Sequence, residues 1–111
     1  MACTNIARLD LCLYQGDTYE HQVEFVDDNG DLLDMSGWLY EAVIQDRNAR
    51  HSMTIDSSNA LDGLIILSLT AEETAAIGRQ ASWDLQRTST DTPPIIETLL
   101  YGNVSTGRDV T

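Results

Sequence analysis

The sequence predicts an all-β protein, an antiparallel sandwich or small barrel with one short helix near residues 70–77. Three observations carry that expectation. Apolar and polar residues alternate with period two along most of the chain, as in strands that bury one face. Glycine, asparagine and aspartate turn signals punctuate the alternation at short intervals. Only one segment carries a helix start signal, and it is too short to organise a core. At 111 residues the chain suits a single domain, residues 1–111, and falls short of two.

The elements follow in order. Leu9, Leu11 and Leu13 alternate with Arg8, Asp10 and Cys12, and Gln15-Gly16-Asp17 turns the chain. His21, Val23 and Phe25 line one face of a second strand, with Glu20, Gln22 and Glu24 on the other. Asp27-Asp28-Asn29-Gly30-Asp31 then reads as a hairpin turn, because both Asn and Gly tolerate positive φ. A short returning segment, residues 32–35, leads into Ser36-Gly37. Residues 38–45 form a long strand with Trp38, Tyr40, Ala42 and Ile44 on its inner face. Residues 46–52 read as a polar loop, 53–55 as a short strand and 56–63 as a turn-rich connection. Residues 64–69 are apolar on both faces, the pattern of the most buried strand. Thr70 and Glu73 make a capping box for a helix of a turn or two, closed by Gly78. Alternation resumes over 81–87 with Trp83 and Leu85 on one side, and Pro93-Pro94 breaks it. Residues 95–101 and 104–110 complete the pattern, interrupted at Gly102-Asn103.

Charge narrows the partners. Asp and Glu number 18 against 6 Lys plus Arg, a net charge of −12, and every cation is arginine. Such a surface repels phosphate backbones and anionic headgroups, so neither nucleic acid nor membrane is expected as a partner. No apolar run approaches the roughly 18 residues that span a bilayer. The first 14 residues alternate around Asp10, unlike the continuous apolar block of a secretory leader. Cys3 and Cys12 read as two reduced thiols in a chain made in a cytoplasm.

No catalytic or metal constellation stands out. Asp27, Asn29 and Asp31 match the opening of a calcium loop, but Leu32 and Trp38 stand where such a loop needs glycine and a bidentate glutamate. His21 and His51 are the available imidazole bases, and no strand-turn-helix nucleophile motif accompanies them. Glu72 and Glu73 belong to the helix N-terminus, where negative charge is favoured. The expectation is a non-enzyme without cofactor or metal. Arginine presents a planar multi-donor fork and is enriched at interfaces where lysine is depleted. Arg47, Arg50, Arg79, Arg87 and Arg108, with Tyr101, are therefore the candidate interface residues.

The motifs in succession are Gln15-Gly16-Asp17, Asn29-Gly30, Asp34-Met35-Ser36-Gly37-Trp38 and Asp62-Gly63 through Thr70 with Glu73-Thr74. Trp83-Asp84-Leu85-Gln86, Thr98 through Val104 and Asp109-Val110-Thr111 follow. In this order they resemble small tail-module proteins of bacteriophages and prophages and, more distantly, the N-terminal domain of phage baseplate upper proteins. The resemblance runs from Tyr14 to Thr111. Asp34-Met35-Ser36-Gly37 stands where the family carries D-L-T-G, and no fibre or receptor-binding domain follows Thr111.

The resemblance implies an immunoglobulin-like antiparallel β-sandwich serving as a virion structural part at the baseplate or tail-fibre junction, made in the host cytoplasm. It would be held in multiple copies on a symmetric assembly by other virion proteins. It also implies Trp38, Leu67, Trp83 and Leu99 as core plugs, with Gly16, Gly30, Gly37, Gly63 and Gly102 where the chain turns or bends. A capsid decoration protein is the alternative of the same class. A carbohydrate- or receptor-binding module is the alternative of another class, with Tyr14, Tyr19 and Tyr101 as its aromatic support.

Overall fold

The structure, a computed structural model, describes residues 7–108, and of Arg108 the backbone alone. Cys3, the Arg108 side chain and Asp109-Val110-Thr111 lie outside the described residues. Among the described residues nine strands form: β1 (Ala7–Arg8), β2 (Leu11–Gln15), β3 (Tyr19–Glu24), β4 (Leu39–Gln45), β5 (Arg50–Ser52), β6 (Thr54–Asp56), β7 (Leu64–Leu69), β8 (Gln80–Thr88) and β9 (Ile96–Arg108). One helix, α1 (Ala71–Ala75), and a 3-10 turn (Ala60–Asp62) accompany them. The larger sheet runs β1-β9-β8-β4-β5, with β2 following β1 along β9, and the smaller runs β3-β7-β6. The predicted sandwich is realised.

The alternation in the sequence becomes the core. Leu11, Leu13, Ala42, Ile44, Trp83, Leu85, Leu100 and Val104 point inward from the large sheet, and Val23, Ile65, Leu67 and Leu69 meet them from the small one. β7 is the central strand of its sheet, paired with β3 on one side and β6 on the other. At Met53, which is buried, the chain leaves β5 and enters β6, passing from one sheet to the other. Trp38 and Leu99, expected as core plugs, are only partly buried.

Three local expectations change. Residues 46–52 contain β5, a short edge strand that pairs with Val43, Ile44 and Gln45. In the 27–31 turn Gly30 alone takes positive φ, at 84°. Asp27 accepts the Asn29 and Asp31 amides on its carboxylate at 2.8 and 3.0 Å, so the turn is set by an aspartate side chain and one glycine. Finally, Gly102-Asn103 does not interrupt a strand. β9 runs unbroken through both residues, and the interruption lies opposite, at Leu9-Asp10 between β1 and β2.

That juncture closes the fold. β1 and β2 both run parallel to β9, Ala7 opposite Leu100 and Leu11 opposite Val104. Between them the Leu9 carbonyl rests on the bare backbone of Gly102, where any Cβ would collide with it. The same carbonyl accepts the Trp83 indole N–H at 2.7 Å. Asp10 accepts the Asn103 amide at 2.9 Å, which holds its carboxyl below the usual range. A buried tryptophan N–H needs a partner, and here the partner also pins the N-terminal strand. Gly102→Ala is expected to cost about 3 kcal/mol or more by backbone collision. Gly30→Ala is expected to cost about 1 kcal/mol for its left-handed conformation. Urea denaturation of the two variants measures both, and equal, small losses would contradict the close approach at Gly102.

Candidate interaction surfaces

The predicted interface residues fall in three places. Arg50 and Tyr101 stand on the outer face of the large sheet. The cross-strand row Val43, Asp84, Tyr101, Arg8 runs beside the row Arg50, Gln45, Ser82, Asn103. Together these line a shallow groove of ≈ 390 Å³. Arg47 and Arg79 line a separate cleft of ≈ 320 Å³ at one end of the sandwich, with Asn48, Gly78 and Gln80. Arg87 lies at the opposite end and is occupied within the chain. Its guanidinium sits 4.0 Å over the Trp38 ring and donates to Glu97 at 2.8 and 2.9 Å. The backbone of Arg108 pairs with Gln15 at the Arg47 end.

The end bearing Arg47 and Arg79 is built by polar staples. Asp46 is buried, and its carboxylate accepts the Asn48 and Ala49 amides on Oδ1, both at 2.8 Å. Oδ2 accepts the Gly78 amide at 2.8 Å and lies 2.9 Å from His51 Nε2. The Gly78 amide first, then His51 and the two turn amides, hold the Asp46 carboxyl far below its ordinary value. Gly78 therefore serves as a docking point for Asp46, and α1 stops earlier, with Ala76 as its C-cap. Thr74, fully buried, donates to the Asp17 carbonyl at 2.7 Å and accepts the Gly16 amide at 3.1 Å. Gln15 donates to the Ile77 carbonyl at 2.9 Å, so α1 seals this end over Ile77. The expected capping box is present, Thr70 accepting from Glu73 and the Glu73 carboxylate from Thr70.

The sequence reading passed over Asp46; its local signal is the Asp-x-Asn turn, but its distal partner is 32 residues away. The Asp46–His51 pair has the polarity of half a catalytic relay. Three of the four hydrogen bonds on the carboxylate come from backbone amides of turn and loop and the fourth from His51 on β5, so the carboxylate clamps these segments together. Among the described residues, no group of three or more His, Cys, Asp or Glu is arranged to hold a metal ion. In the calcium-like motif the Asp27 carboxylate is spent on its own turn. His21 stacks parallel to Tyr19, ring centroids 6.4 Å apart, and Cys12 is an exposed free thiol. Among the described residues no helix is long and apolar enough to cross a membrane.

The second end, opposite the clamp, has another character. A groove of ≈ 560 Å³ opens between Phe25, Val26 and Leu33 on one side and Leu99 and Leu100 on the other. Glu24, Glu97 and Arg87 edge it.

Neither a protein-family model nor a curated protein sequence matches the chain. Among solved structures it is similar to the N-terminal domain of phage TP901-1 ORF48, with a TM-score of 0.60 and 10% sequence identity. The likeness covers 92% of this chain and 96% of that one, so the two share a fold over nearly their whole lengths.

Asp46 supplies a pH test. Its native pKa lies below the unfolded value of 3.8, so its contribution is fully present above that value. It is lost as pH falls toward the native pKa. Asp46→Asn should lower the urea midpoint at neutral pH and flatten the decline in stability below about pH 4. A variant whose midpoint falls with pH as steeply as the parent's would show that the clamp carries no linkage.

Proposed function

We propose that the chain is a non-enzymatic structural component of a bacteriophage virion, a baseplate or tail-fibre-junction subunit that works by protein–protein assembly. The observation that carries this reading is the end-to-end fold likeness to a phage protein domain, joined to the order of tail-module motifs in the sequence. The partners are other virion proteins, and the site of action is the particle.

The physical logic is assembly by complementarity. Many copies on a symmetric platform gain avidity, so a modest interface per copy holds the array. A net charge of −12 keeps free subunits soluble and mutually repelling. A partner that neutralises part of that charge raises the rate of productive encounter. Within this reading Arg47, Arg50, Arg79, Arg108 and Tyr101 are contact residues. Arg87 contributes by fixing Trp38 and Glu97 beside the second end.

Particles of the phage or prophage that encodes the chain, decorated with gold-labelled Fab fragments raised against it, test the proposal by electron microscopy. Label at the tail tip is expected. Label distributed over the head would establish the decoration-protein alternative, and unlabelled particles would overturn both virion readings.

A further inference from the structure

Among the described residues, most of the exposed large apolar side chains belong to segments at one end. Val26, Leu32 and Leu33 belong to the hairpin that follows β3, Leu39 opens β4, and Ile95 and Ile96 open β9. Leu39 is 66% exposed and Ile96 62%. The register makes them neighbours: Leu39 lies opposite Thr88, and Thr88 opposite Ile96, in one row across three strands. At a strand spacing of about 4.8 Å, the two side chains stand on the same face about 10 Å apart. Leu61, in the 3-10 turn, joins the same end, since the Phe25 amide bonds Gly63 and the Met35 amide bonds Ala60. Among the described residues, the other exposed large apolar side chains are Tyr14 and Tyr101. Scattered exposed leucines need no explanation, but a cluster on one end beside a groove does.

The rim of this end is acidic. Asp27, Asp28 and Asp31 form the hairpin tip, Asp34 follows it, Asp62 sits beside Leu61 and Asp91 precedes Ile95. All six are exposed. Arg87, the cation at this end, is already neutralised by Glu97 and covered by Trp38.

We infer that this end is a docking surface for a different protein chain that presents apolar side chains edged by lysine or arginine. The inference rests on the assembly reading and names the chemistry of the partner. Charge complementarity selects the occupant. Two copies meeting end to end would bring their carboxylates together, which a symmetric interface cannot relieve. A copy meeting head to tail would offer the Arg47 and Arg79 end, whose rim also carries Asp17, Glu72 and Glu73 and, among the described residues, no matching apolar cluster. An anionic membrane would meet the same repulsion as a second copy. The carboxylate rim thus works in two directions: it keeps free subunits from stacking through their apolar ends, and it recognises a basic-edged partner.

The test uses the whole chain and three fluorescent ten-residue peptides: alternating valine and lysine, alternating valine and glutamate, and alternating serine and lysine. Binding is read by fluorescence anisotropy. The valine–lysine peptide is expected to bind at least about tenfold more tightly than either control. The double substitution Leu32→Ser, Ile96→Ser should abolish that advantage while leaving the thermal midpoint near the parent's, since both side chains are exposed. Gln80→Ser, an exposed position at the far end, should change nothing. Equal binding of the two lysine peptides would reduce the effect to bulk charge and overturn the inference. So would an advantage that survives the double substitution, or concentration-dependent self-association abolished by it. Failure here leaves the virion reading standing on the labelling experiment, and failure there leaves this result intact.

Discussion

The fold depends on a close approach between two backbones 93 residues apart in sequence. The Leu9 carbonyl lies against Gly102 and takes the Trp83 indole proton, while Asp10 takes the Asn103 amide. Because β9 bears no side chain at that point, the Leu9 carbonyl can lie against it, and the N-terminal segment continues along the same edge of β9 as β2, in the register that β1 began. Leu11 and Leu13 thereby enter the core opposite the small sheet. A side chain at position 102 would push Leu9 outward and take the indole's partner with it. The closure also carries the largest loop-closure cost in the chain, since nothing local brings residues 7–15 to residues 100–108.

Once that seam is shut, the two ends of the sandwich differ in what holds them. One end is sealed by polar staples: Asp46 with four donors, Thr74 bridging to the Gly16 turn, and Gln15 on the helix terminus. Polar groups removed from water there all find partners, and no buried side-chain nitrogen or oxygen among the described residues lacks one. The other end is left apolar, with Leu39, Ile96 and the hairpin leucines facing outward under a ring of carboxylates. The two ends thus differ in kind: one is tied down by polar groups, and the other leaves apolar side chains in the open.

Much of this was legible in the residues. Period-two patterning located seven of the strands because each buries one face, and the capping box marked α1 because its two hydrogen bonds are local. What escaped was non-local. Gly102 reads as a strand break in sequence, since its function is to admit a carbonyl from the other end of the chain. β5 reads as a loop because a three-residue edge strand of Arg, His and Ser buries little. Asp46 looked like one acid among eighteen until Gly78 came to it. Alternation also tells the two faces of a strand apart but not its two ends, so the gathering of Leu39 and Ile96 into one surface had no local signature. The arginines were legible as a set, and their dispersal over three regions follows from topology alone.

Amide hydrogen exchange followed by mass spectrometry tests the seam most directly. Peptides covering β2 and the second half of β9 are expected to exchange only as fast as those of β4 and β8, through global unfolding. Rapid exchange of β2 while β4 and β8 stay protected would show that the N-terminal strand opens independently, and the closure at Gly102 would not be what holds the sandwich together.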